Sequence, residues 1–214
     1  MKEFFSIEGP FMQFFAKLWD IIILSILFCI CSIPIVTFGI NSSALYYTMV
    51  KAVIPGEGHV VRTYFKGFKQ NMKQGFGMGI LFEAVLAILA FSLYVIFVND
   101  MGVIGIIFGI AFIIFIAGVI MIMAYAFPLA GRFDNSVGGI IANSLLIAME
   151  NWKEAVSMFI LEAFLLVALA FVLYVPFVVL IVPGLVVWMQ AKMLETLLLS
   201  YMQEGGEDNE TETV

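Results

Sequence analysis

The sequence predicts an all-α protein: a polytopic transmembrane bundle of six helices, or five, with an amphipathic helix lying on the cytoplasmic membrane surface. Three observations carry this. Residues 21–40, 75–98, 102–129 and 155–182 are almost wholly apolar, and a helix of roughly 20 such residues crosses a ~30 Å hydrocarbon layer. The chain is 63% hydrophobic and 12% charged, with mean hydropathy +1.10, whereas soluble domains carry about 25% charged residues. Cationic residues gather in one loop, as cytoplasmic loops do. A fifth apolar segment, residues 184–201, holds a lysine and a glutamate.

At 214 residues, the spans use most of the chain, so residues 1–203 read as one membrane domain. Residues 204–214, EGGEDNETETV, have no apolar periodicity and read as a disordered acidic cytoplasmic tail. That tail holds five of the sixteen acidic residues, so the net charge of −6 is largely its property and says nothing about ligands.

The first apolar run has no A-x-A-like site after it, so its helix is expected to stay as an uncleaved anchor. Two readings of residues 21–40 remain open. As one straight span it gives five helices, with Lys2 and Lys17 outside. Alternatively, Pro34 removes a backbone donor and Gly39 tolerates a turn, so the segment breaks there. Residues 17–33 then cross outward and 40–54 cross back, which is the preferred six-helix reading. Each half is short, roughly 24 Å at 1.5 Å per residue.

Lys51, Arg62, Lys66, Lys69 and Lys73 fall in the next loop, placed in the cytoplasm. Within it, Arg62, Lys66, Lys69 and Lys73 recur at spacings 4, 3 and 4, and so share one helical face. Val61, Phe65, Phe68 and Met72 repeat that spacing one residue earlier. A helix over 60–73 lying flat on the leaflet buries its aromatics and sets its cations at anionic headgroups, about 1 kcal/mol each. The plain expectation is a surface helix that fixes topology, and the sharper one is a contact face for a partner. A nucleic-acid partner is not expected from four cations on a membrane helix.

Residues 99–101 carry one aspartate and no cation, so this loop is placed outside. Arg132 and Lys153 flank the next connection, which returns inside. Residues 134–152 look like a second cytoplasmic helix, with Asp134, Asn135 and Ser136 as caps. Its apolar face runs through Val137, Ile140, Ile141, Ser144, Leu145, Ala148, Met149 and Trp152. Pro183-Gly184 makes an outer turn, and the chain ends inside. Trp19 and Trp152 fall near the cytoplasmic boundary and Trp188 near the outer one, where indoles favour the interface.

Glu83 and Glu162 each lie about seven residues into their spans, roughly 10 Å deep. Glu195 reaches a similar depth, with Lys192 one turn farther out. Ionisable groups there are costly and face a bundle interior or a wet cavity. Glu83, Glu162, Lys192 and Glu195 are therefore a candidate polar site open to the cytoplasm, with Lys192 neutralising one carboxylate. The competing expectation is structural pairing or snorkelling. Gly75-x-x-x-Gly79 and Gly105-x-x-x-Gly109 permit close helix approach, chiefly within the chain.

Catalysis is not expected. The chain lacks H-E-x-x-H, G-x-S-x-G and G-x-x-x-x-G-K-[ST]. Its one histidine, His59, completes no nucleophile–base pair. Cys29 and Cys31 read as apolar filler of the first span, so neither metal nor cofactor is expected.

PIVTFGINSSALYY at residues 34–47, TYFKGFKQNMKQGF at 63–76 and NSLLIAMENW at 143–152 occur in order. In these the chain resembles the YesL-like family of small bacterial integral membrane proteins, a domain of unknown function. The resemblance runs from about residue 4 to residue 201. It implies a multi-pass protein of the bacterial plasma membrane, most typical of Gram-positive bacteria, with an accessory role near sugar transporters. It supplies no catalytic residues. The leading expectation is thus a nonenzymatic accessory of carbohydrate transport or utilisation, whose partners are the lipid bilayer and membrane transporter subunits. The alternative is a small autonomous carrier or channel that uses the Pro34–Gly39 break and the glutamates, since discontinuous helices near polar residues build transporter sites. Being small, it would work as a homo-oligomer.

Overall fold

The computed structural model describes residues 10–99, 101–171, 177 and 180–211, with side chains described as far as Tyr201. Lys2, Asp100, part of the 155–182 segment and the side chains of the acidic tail, on which several of the expectations above rest, lie outside this description. The described residues form helices and no strand: α1 Pro10–Cys31, α2 Phe38–Thr48, α3 Val60–Gln70, α4 Met72–Val98, α5 Gly102–Arg132, α6 Val137–Glu150, α7 Trp152–Ala170 and α8 Val182–Thr211. Four helical segments, Phe11–Cys31, Met72–Val98, Gly102–Arg132 and Val182–Tyr201, are long and apolar enough to cross a membrane.

Residues 21–40 are not one straight span, which overturns the five-helix option in that form. The backbone leaves α1 at Cys31, makes a 3₁₀ turn over Ile35–Thr37, and starts α2 at Phe38. Pro34 supplies no N–H to continue the ladder. The Thr37 hydroxyl lies 2.6 Å from the carbonyl oxygens of both Cys31 and Pro34, and so answers a carbonyl that the end of α1 leaves unpaired. After Thr48 the helix widens into a π turn, Met49–Val53.

Helix α2 is the centre of the molecule. It packs on α3, α4 and α5, and also on α1 and α8. Small residues allow this. A Cβ added at Gly39 would collide with the Gly75 carbonyl oxygen and lie 2.6 Å from the Gly79 Cα. One added at Gly131 of α5 would lie 2.5 Å from the Ser43 carbonyl oxygen. Ser43 and Thr48 donate to carbonyls one turn back, Gly39 at 3.0 Å and Ala44 at 2.7 Å, so their hydroxyls are buried without loss. A file of edge-to-face rings, Phe28, Phe38, Phe127 and Phe82, joins α1, α2, α5 and α4 with centroids 5.7–5.9 Å apart.

The far halves of α4 and α5 contrast with this. Beyond Phe82, and before Met123, these helices hold one buried residue, Gly105, and present Ile88, Phe91, Phe97, Val103, Ile107 and Phe115 outward. Phe97 is 87% exposed.

The segment read as one helix over 60–73 is two. Asn71 ends α3, where its backbone and side-chain nitrogens both reach the Gly67 carbonyl at 2.9 Å, and its own carbonyl accepts the Gly75 N–H. Lys73 therefore stands on the first turn of α4. The 134–152 segment is shorter than expected and its buried face narrower. Ser136 caps α6, accepting the Gly139 N–H at 3.1 Å. Ile140, Ser144 and Ala148 are buried, while Leu145, Met149 and Trp152 point outward, Trp152 as the first residue of α7.

Candidate functional site

Glu195 on α8 is the hub of the polar interior. It accepts the Tyr46 hydroxyl of α2 at 2.9 Å and pairs with Arg132, at the end of α5, at 3.3 Å. Lys192 does not take the neutralising place foreseen for it. It is exposed, with its ammonium 3.9 Å from the centroid of the Trp188 ring. Trp188 lies one turn back on the same face of α8, so stacking needs no other helix. Arg132 reaches Glu195 because α5 continues past Leu129, and a guanidinium there also suits the helix C-terminus.

Glu162 of α7 is buried and accepts the Gln190 amide of α8 at 3.0 Å. Around it, Ser42, Tyr46, Pro128 and Gln190 leave only about 10 Å³ of free space, close to the least that holds one water. Glu162, buried, and Glu195, half-buried, thus both lie beside Tyr46. Glu83 lies on α4, which packs chiefly on α2 and α5. One of its carboxylate oxygens is buried with no hydrogen-bond partner among the described residues. Glu83 and Lys192 stand outside the Glu162–Glu195 group.

A second group fixes α3. Tyr64 donates to the Asn41 carbonyl oxygen at 3.2 Å, and the Asn41 amide donates to Ser32 at 3.1 Å. Burial pushes the Tyr64 phenol above the usual tyrosine range, so it stays a proton donor. Val60, Tyr64 and Gly67 form the seated face. Arg62, Lys66 and Lys69 are exposed together with Val61 and Phe65; Phe68 is half-buried, and Lys73 continues the cationic row from α4. Cys29 and Cys31 form no disulfide, and no metal-ligand cluster of three occurs among the described residues.

Sequence reasoning passed over Tyr46, Arg132, Gln190, Asn41 and Tyr64. A usable signal existed for two of them: Asn41 and Gln190 are amides in apolar helices, and such groups seek partners inside a bundle. Arg132 was counted only for topology.

Residues 21–93, 73 of the 214, match the family model described as a protein of unknown function, DUF624. The match spans the later part of α1, the turn at Pro34, α2, α3 and most of α4, and so contains the Gly39–Gly75–Gly79 contact and the basic row. It is consistent with the YesL-like resemblance and names no activity. No curated protein and no solved structure matches the chain.

Proposed function

We propose that this chain is a multi-pass protein of the bacterial plasma membrane and a nonenzymatic accessory of carbohydrate transport or utilisation, offering the basic row of α3 to a transporter subunit. The apolar helices support the membrane reading, and the YesL-like resemblance supports the carbohydrate link. The observation that carries the contact face is the seating of α3. Its Tyr64 side is locked to α2, so Arg62, Lys66 and Lys69 project from a fixed platform.

Six crossing segments, α1, α2 with its π turn, α4, α5, α7 and α8, fit this reading. Three contacts favour one polar end, in the cytoplasm. Lys17 donates to the Ile54 carbonyl at 3.3 Å, Gln74 to that of Asn135, and Asn151 to the Tyr201 hydroxyl at 2.7 Å. Lys51, Arg62, Lys66, Lys69, Lys73, Arg132 and Lys153 fall on or near the segments so joined, as the positive-inside rule asks. In this reading the acidic tail, residues 204–214, belongs to the cytoplasmic side.

The test is co-purification of the tagged protein from native membranes in mild detergent, with mass spectrometry of what accompanies it. A stoichiometric transporter subunit, lost in Lys66→Glu/Lys69→Glu, is the expected result. A homo-oligomer with no partner overturns it in favour of an autonomous carrier. The gathering of Glu162 and Glu195 around Tyr46 favours that second reading, and loss of liposome flux in Glu162→Gln would establish it.

A further inference from the structure

Two clefts open side by side at the polar end of the molecule. One, about 510 Å³, is mainly apolar, with Leu129 of α5, Ile140 and Ile147 of α6 and Leu198 of α8 in its lining. The other, about 320 Å³, is mainly polar, with Gln70, Asn71 and Gln74 at the α3–α4 junction and Arg132 at the end of α5. They share one wall, Phe133 and Asp134.

The charges on this wall are ordered. Arg132 sets one nitrogen 3.3 Å from Glu195 and is also part of the polar cleft's lining. The Asp134 side chain is exposed and makes no hydrogen bond or ion pair among the described residues, and the same holds for the Gln70 side chain. Gln74 donates to the Asn135 carbonyl, which holds the wall against α4. Among the described residues, the apolar cleft's other carboxylate besides Asp134 is Glu150, which accepts the Tyr201 hydroxyl at 2.6 Å. From one side to the other, the clefts offer a cation with amide donors, then a carboxylate, then an apolar slot.

We propose that the paired clefts hold one zwitterionic phospholipid with a primary ammonium headgroup. Its phosphodiester lies at Arg132 and the Gln70 amide, its ammonium at Asp134, and part of an acyl chain along Leu129, Ile140 and Leu198. An anionic lipid fits less well, because Asp134 and Glu150 face it while Glu195 already shares Arg132. A water-soluble zwitterion leaves the larger cleft unfilled, and pockets of a few hundred Å³ with an apolar lining and few polar groups are built for mostly apolar ligands. The position beside the basic row of α3 sets the headgroup at the membrane surface. The inference rests on the membrane reading and is independent of any partner of α3.

The test is native mass spectrometry of the detergent-purified protein offered equal amounts of phosphatidylethanolamine and phosphatidylglycerol. We expect one phosphatidylethanolamine per chain, retained roughly tenfold over phosphatidylglycerol, the ratio that 1.4 kcal/mol of discrimination gives. Asp134→Asn should bring the two lipids level. Leu146→Trp, an exposed α6 position on the apolar cleft, should lower retention of both. Glycerophosphoethanolamine, which lacks acyl chains, should not displace the lipid. Equal retention of both lipids by the unaltered protein, or an unchanged preference in Asp134→Asn, overturns the site. Displacement by the bare headgroup, or unchanged retention in Leu146→Trp, overturns the acyl slot and with it the phospholipid. Alkaline carbonate extraction separates this from the membrane reading: a protein released by carbonate sinks that reading, while one retained but indifferent to headgroup sinks only the lipid site.

Discussion

Helix α2, with Asn41, Ser42, Ser43 and Thr48 among its residues, and the almost wholly apolar outer halves of α4 and α5 live in opposite surroundings. Most residues from Gly39 to Val53 are buried, against neighbours on five other helices. From Ile88 to Phe115 the chain is richer in large hydrophobic side chains and mostly outward-facing. Hiding apolar surface does not by itself put a helix at the centre, because lipid tails are as apolar as leucine and helices gain nothing merely by hiding leucines from them. What separates them is size and polarity. Gly39, Asn41, Ser43, Ala44 and Thr48 let backbones touch and hydroxyls find partners, whereas Ile, Phe and Val in the outer hairpin suit lipid.

The sharpest way to break this contrast is to enlarge the centre. Gly39→Val puts side-chain carbon into the Gly75 backbone and should cost about 3 kcal/mol or more, at the upper end of overpacking effects. Denaturant unfolding in detergent micelles reads this, and a loss below about 1 kcal/mol would mean that α2 and α4 do not touch as described.

Gln190→Leu comes next. It leaves the buried Glu162 carboxyl without its donor and should cost about 2 kcal/mol, most of which Glu162→Leu/Gln190→Leu should restore, since removing both partners removes the orphan. A double variant as weak as the single one would place Glu162's value elsewhere. Tyr46→Phe removes one hydrogen bond to Glu195 and should cost about 1 kcal/mol by the same unfolding curve. The smallest effects belong to the outer hairpin. Gly109→Ala meets no atom within 4 Å, and it and Phe91→Ala should each stay within about 0.5 kcal/mol. A larger loss in detergent would mean that a second copy covers this hairpin, and size-exclusion with light scattering would then show it.

Much of the fold was legible where the signal is local. The apolar runs at residues 75–98 and 102–129 announce helices of crossing length, Pro34 lacks the N–H that a continuing helix needs, and the 3–4 spacing of cations over residues 62–69 marks a helical face. The polar interior was less legible, because its pairs join distant positions. Glu195 has Lys192 one turn away in sequence, but Trp188 holds that ammonium and the counter-charge arrives from Arg132, 63 residues upstream. The end of α3 turned on Asn71, whose side chain competes for the Gly67 carbonyl, a choice that periodicity does not register.

By itself the sequence determined that the chain is helical and apolar enough for a membrane, because a backbone without water must bond to itself and long apolar runs leave it no other form. The tertiary structure alone decided which apolar helix lies at the centre, which carboxylates are gathered, and where two clefts share a wall. Those depend on close backbone approach and on side chains meeting across tens of residues. Geometry of that kind is set by packing all the helices together, and no single segment encodes it.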